Sequence, residues 1–225
     1  MAKLNRKINK FFRIIKWPVA ILMLLILVPA FQADFDIIRR MMNKEMLLEF
    51  FLPFAATILF FLIMPGLSGS FFTIMEHELT HMLFAVLTFH KPKGLDVRQD
   101  EGGSFSFIGE GNWLIALAPY FFPAFTFILM IGITIYQQFY PKLPDFYLIL
   151  FGIFLGYHFI VTLFEIHPKQ TDFVVAGPIF TICFIPGINL LTYGMFFAWL
   201  LKGWAGIPLY YQLVWQKIIA LIGLG

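Results

Sequence analysis

The chain has 225 residues, 60% of them hydrophobic and 19% aromatic but only 13% charged, against about a quarter charged in an ordinary soluble domain. This excludes a soluble globular protein and predicts an all-α integral membrane protein, multi-pass and expected in a bacterial cytoplasmic membrane. The formal net charge is +3, and the single cysteine, Cys183, excludes an intramolecular disulfide framework and any cysteine-based zinc site.

Six of the sixteen basic residues lie at the amino end: Lys3, Arg6, Lys7, Lys10, Arg13 and Lys16. They directly precede the apolar run "WPVAILMLLILVPAF", where cations hold the end of a first span on the cytoplasmic side. No aromatic stacking motif for RNA accompanies them, so nucleic acid is not expected as a partner. The run offers no convincing cleavage site, which predicts a retained helix from Trp17 to Phe31.

The polar link "QADFDIIRRMMNKE" reads as a separate interfacial helix. A second apolar run ends at Pro65-Gly66, and "GLSGS" breaks the helix there. A third runs from Phe71 to Phe89. In the polar stretch that follows, "GLDVRQ" and "SFSFIG" flank the turn "DEGG", which predicts a β-hairpin. The fourth span, "WLIALAPYFFPAFTFILMIGITIY", carries Pro119 and Pro123, which bend it. "FYLILFGIFLGYHFIVTLFEI" is the fifth. The sixth, "FVVAGPIFTICFIPGINLLTYGMFFAWL", has internal Pro178 and Pro186-Gly187, which predict a broken or kinked helix.

The expected fold therefore has about six transmembrane helices, with a small β-hairpin between the third and fourth. Residues 1–66 hold the basic segment and two spans, residues 67–201 the core, and residues 202–225 an interfacial or transmembrane tail. A cytoplasmic amino terminus and six spans place both termini inside and the hairpin outside, but Lys91, Lys93 and Arg98 flank the hairpin, and a re-entrant hairpin or a miscounted span inverts the assignment.

The third span contains "EHELTH", with Glu76, His77, Glu78 and His81 in a lipid-soluble context. Each such group costs roughly 3 kcal/mol in the membrane without a partner. Positions i and i+4 share a helix face, so His77 and His81 suit one zinc ion, and Glu78 reaches a water on that ion without being a ligand. This is the physical content of H-E-x-x-H: two nitrogen ligands and a general base within one turn. Zinc keeps an open position and acidifies the water bound there. Glu78 then takes its proton for attack on a carbonyl.

A third ligand is needed, and the residues alone leave His158, Glu165, His167 and Asp172 open. His158 and Glu165 are seven apart on one face of the fifth span; His167, Lys169 and Asp172 also read as an ordinary solvated loop. Asn112, Asn189 and His158 are candidates for stabilising an oxyanion, with Asn189 read mainly as a helix–helix hydrogen bond. Glu76 and Glu49 are left open between a supporting and a separate role, and His90 reads as a solvated residue at a helix end.

The chain resembles the site-two protease family of intramembrane zinc metalloproteases in its compact, divergent branch. The resemblance rests on "HELTH" in an apolar helix, the glycine-bearing hairpin "LDVRQDEGGSFSF", the proline-bearing entry "LAPYFFPA" and "QTDFVVAG". It implies hydrolysis of peptide bonds in membrane-associated substrates through a zinc-activated water, with Glu78 as base and His77, His81 and Asp172 as ligands. "KQTDFV" lacks the family's Asn-Pro-x-Asp-Gly setting, which keeps Glu165 and His158 as substitutes. The family also implies substrate added as a strand to the hairpin edge. Substrate-binding residues, substrate identity and oligomeric state are not legible. The rival readings are a CAAX-processing zinc peptidase, with Glu165 as ligand, and a non-catalytic metal transporter or sensor.

Overall fold

The computed structural model describes residues 2–98, 102–144, 146–167 and 170–223. Helix α1 runs from Ala2 to Met41, 40 residues, hence about 60 Å, or twice the ~30 Å hydrocarbon core. The link expected as a separate interfacial helix is the final part of α1. Two features carry the helix through it. Met23, Ile26, Ala30, Ala33, Ile37 and Met41 form one buried stripe at three- and four-residue spacing. The carboxylates are also engaged: Asp34 accepts from Tyr210 Oη at 2.7 Å, and Asp36 pairs with Lys217 at 2.7 Å. The break comes one turn later at Asn43, whose side chain caps α2 (Lys44–Met46) by accepting from the Met46 N–H.

A π-helical segment, Leu47–Phe51, joins α2 to α3 (Leu52–Ile63). After a 3-10 turn at Pro65–Gly69 comes α4 (Phe71–Leu87). The hairpin pairs β1 (Pro92–Arg98) with β2 (Gly102–Phe107) antiparallel, Leu95 opposite Phe105 and Asp96 opposite Ser104. Most of the expected turn, with Gln99, lies outside the described residues. The segment that follows the hairpin is bonded to the start of α1: the Asn9 amide donates to the Glu110 carbonyl, Asn112 donates to Asn9 Oδ1 at 3.1 Å, and Trp113 Nε1 donates to the Phe12 carbonyl at 2.7 Å. α4, 17 residues long, packs along the hairpin.

The next segment is broken, as its prolines require. α5 (Trp113–Leu117) runs into a 3-10 turn at Ala118–Tyr120, and α6 (Ala124–Phe139) leaves at 78°. α7 (Tyr147–Glu165) packs on α3 through Gly152 and Gly156, one turn apart. A Cβ at Gly156 would lie 2.6 Å from the Phe54 carbonyl oxygen, and one at Gly152 would strike that of Phe50. Such small residues let two membrane helices approach backbone to backbone.

α8 (Thr171–Ala176) ends at Gly177, with φ +89°, and α9 (Pro178–Lys202) follows. The expected break falls at Gly177–Pro178, and α9 continues through Pro186. α10 (Gly206–Leu221) folds back along α9, with Tyr210 Oη donating to the Leu190 carbonyl at 3.2 Å.

Four helical stretches have the length and apolar composition to cross a bilayer: Lys3–Met41, Lys44–Ile63, Tyr147–Glu165 and Pro178–Leu221. The bent pair Trp113–Tyr120 and Ala124–Phe139 makes a fifth only when counted as one span. The chain is a mostly helical multi-pass membrane protein with one two-stranded sheet among the described residues.

Candidate metal centre

His77 and His81, one turn apart on α4, meet Asp172 from the first turn of α8. His77 Nε2 lies 3.1 Å from His81 Nε2, and each of the two lies 3.4 Å from Asp172 Oδ2. A tetrahedral zinc site with bonds of about 2.0–2.1 Å needs ligand atoms about 3.3–3.4 Å apart. The donor set, two imidazole nitrogens and one carboxylate oxygen, is also one that zinc accepts. Among the described residues these three form the group able to hold a metal ion. The residues fit the ion in chemistry and in spacing.

Each member of the triangle is fixed from behind. His77 Nδ1 donates to Glu165 Oε2 at 3.0 Å, at the end of α7. His81 Nδ1 donates to the Ile115 carbonyl at 2.8 Å. Tyr120 Oη donates to Asp172 Oδ2 at 2.9 Å. These acceptors hold the proton of each ring on Nδ1, so both Nε2 lone pairs point into the triangle, the tautomer that a metal site requires.

The broken α5–α6 segment supplies these partners for a covalent reason. In a continuous helix the Ile115 carbonyl would accept from residue 119 and the Pro119 carbonyl from residue 123. Both positions are proline and have no N–H to give. The Ile115 oxygen, which also accepts the Ala118 N–H of the 3-10 turn, takes the bond from His81, and His158 Nε2 donates to the Pro119 oxygen at 3.2 Å. The Tyr120 carbonyl, in the same turn, accepts from Asn189 Nδ2 at 2.9 Å.

A cavity of about 620 Å³ opens on the triangle, with Glu78 on its wall beside His77, His81 and Asp172. Gly103, Ser104 and Phe105 of β2 also line it. Among the described residues β2 pairs only with β1, so its other edge carries no partner strand. Gly103 presses directly on α4: a Cβ there would lie 2.5 Å from Ile74 Cγ2 and 2.7 Å from Glu78 Cγ. Only a residue without a side chain brings the strand this close to Glu78.

The other sequence candidates lie elsewhere. Glu165 sits behind His77 and outside the triangle. His158 is buried in the bundle, its Nδ1 2.7 Å from Tyr193 Oη. His167 is exposed beyond α7. Asn112 caps α5 by accepting from the Leu114 and Ile115 N–H groups. Asn189 makes the expected helix–helix bond. His90, read as solvated, is buried, with Nδ1 3.0 Å from Thr88 Oγ1 and Nε2 donating to the Glu110 carbonyl at 2.9 Å. Glu76 is buried beside a cavity of about 10 Å³, room for one water. Tyr120 and the Ile115 carbonyl were not foreseen; the one signal for them was the pair Pro119 and Pro123.

No curated protein and no solved structure matches the chain. Residues 51–222 match the model of the family described as Peptidase M50B-like, which covers α3 to α10 and with them every side chain of the triangle. The chain therefore belongs to the Peptidase M50B-like family, a site-two protease family of membrane peptidases.

Proposed function

We propose that the chain is an intramembrane zinc metalloprotease, a hydrolase acting on peptide bonds of membrane-associated proteins. His77, His81 and Asp172 hold the ion, and Glu78 is the general base. The observation that carries this reading is the triangle of ligand atoms at 3.1–3.4 Å, each member secured from behind. Zinc, when bound, supplies acidification of a water and polarisation of the carbonyl under attack.

The chain's own residues do the rest. Glu78 takes a proton from the attacking water on its carboxylate and returns it to the departing amide nitrogen, so that one residue serves both halves of the hydrolysis. Glu165 and Ile115 keep the imidazoles oriented, and Tyr120 does the same for Asp172. The free edge of β2 offers main-chain groups to an extended segment of substrate, laying its carbonyls along the wall that faces Glu78. A substrate helix keeps its carbonyls in its own hydrogen bonds, so it must unwind before it can pair with this edge. The cavity's polar lining gives water a place at membrane depth.

The test is metal analysis of purified protein alongside cleavage of a membrane-embedded reporter, for the wild type, His77→Ala, Glu78→Gln and Asp172→Ala. We expect zinc near one per chain in the wild type and in Glu78→Gln, the latter without cleavage. His77→Ala and Asp172→Ala should lose both. Cleavage retained in Glu78→Gln would remove the assigned base, and full zinc content in Asp172→Ala would remove the third ligand.

A further inference from the structure

At the other end of α1 from the metal centre, α1, α9 and α10 enclose a cavity of about 390 Å³. Ile37, Leu209 and Leu213 are among the residues that give it an apolar floor, and no carboxylate lines it. Arg40 and Lys202 stand at its rim, both exposed. Asp36, one turn before Arg40, is held by Lys217. Gln212 and Gln216, one turn apart on α10, add two amides to the same opening.

Helix dipoles account for a cation in the last turn of α1 and another in the last turn of α9. They do not account for both cations meeting over one apolar hollow with amides beside them. The depth fits a lipid headgroup: Trp204, Tyr211 and Trp215 are exposed around this end, as aromatic residues are at a membrane–water interface. Two cations without a lining carboxylate are complementary to a phosphate diester, and the floor to the first carbons of an acyl chain.

We propose that this cavity binds one anionic phospholipid. Its phosphate lies between Arg40 and Lys202, its headgroup accepts from the Gln212 and Gln216 amides, and an acyl chain lies on Leu209 and Leu213. The site shares no residue with the metal centre, so it stands or falls independently of the peptidase reading.

The test uses full-length protein, delipidated in detergent and titrated by native mass spectrometry with phosphatidylglycerol or phosphatidylcholine. Wild type is compared with Arg40→Gln/Lys202→Gln and with Arg39→Gln, whose guanidinium stacks on Phe35 outside the cavity. We expect wild type and Arg39→Gln to prefer phosphatidylglycerol, and the double variant to bind it about thirtyfold more weakly, with the same melting temperature. Equal binding of the two lipids by the wild type would overturn the proposal. So would unchanged phosphatidylglycerol binding in the double variant, or displacement of the lipid by millimolar inorganic phosphate.

Discussion

His81 Nδ1 donates to the Ile115 carbonyl at 2.8 Å, taking the acceptor that Pro119 cannot serve. A missing backbone N–H on one helix thus orients an imidazole on another.

Restoring that N–H should be felt at the metal. Pro119→Ala gives residue 119 a donor that competes with His81 for the Ile115 oxygen. The expected outcome is zinc affinity lower by about tenfold with α-helical content unchanged, measured by competition with a chromophoric chelator and by circular dichroism. Unaltered affinity would mean that the proline does not act through His81.

Glu165 should behave as the partner of His77 and not as a ligand. Glu165→Ala removes the acceptor for the Nδ1 proton and should weaken zinc binding by about 10–100-fold without abolishing it. Glu165→Gln keeps an acceptor oxygen and should lie between wild type and alanine in the same titration. Complete loss of zinc from Glu165→Gln would instead place Glu165 on the ion.

Gly103 separates the two halves of the proposed chemistry. Gly103→Val forces β2 away from Ile74 and Glu78 but touches no ligand. Zinc stoichiometry should be retained while cleavage of the reporter falls by up to about 100-fold, the effect of misplacing a substrate by about 1 Å. Loss of zinc together with activity would show that the strand supports the metal centre itself.

For the fold, Gly156→Val should cost about 1–3 kcal/mol by driving α7 off the Phe54 carbonyl. Unfolding in detergent followed by circular dichroism reads this directly. Gly132→Val is the matched control, because nothing lies within 4 Å of a Cβ built at that glycine. Equal stability of the two variants would refute backbone-close packing of α3 on α7.

The pair His77 and His81 was legible because i and i+4 fix their common face whatever the tertiary structure. The hairpin was legible from the alternation of "GLDVRQ" and "SFSFIG", although Gly102 and Gly103, read as part of the turn, begin β2, and the α5–α6 break was legible from Pro119 and Pro123. Asp172 could be named only through a family resemblance, since nothing in "KQTDFV" distinguishes a ligand from a loop residue. Glu165, Tyr120 and the Ile115 carbonyl act across gaps of 34 to 88 residues fixed by packing, which periodicity does not encode. The last part of α1 was misread because Asp34 and Asp36 look solvated until α10 provides Tyr210 and Lys217. His90 was misread because its partner, the Glu110 carbonyl, reaches it only when the hairpin closes.

Between the cationic amino end of α1 and Arg39, the stretch from Trp17 to Ile38 is about 33 Å long, close to the thickness of a hydrocarbon layer. Asn9 and Phe12, just outside that stretch, are bonded to Asn112 and Trp113, the start of the segment that orients His81. The rod consequently works as a depth gauge. Whatever side chains flank a target's scissile bond, its distance from the membrane face, counted along the target chain, is limited by where α1 suspends the proposed cutting site.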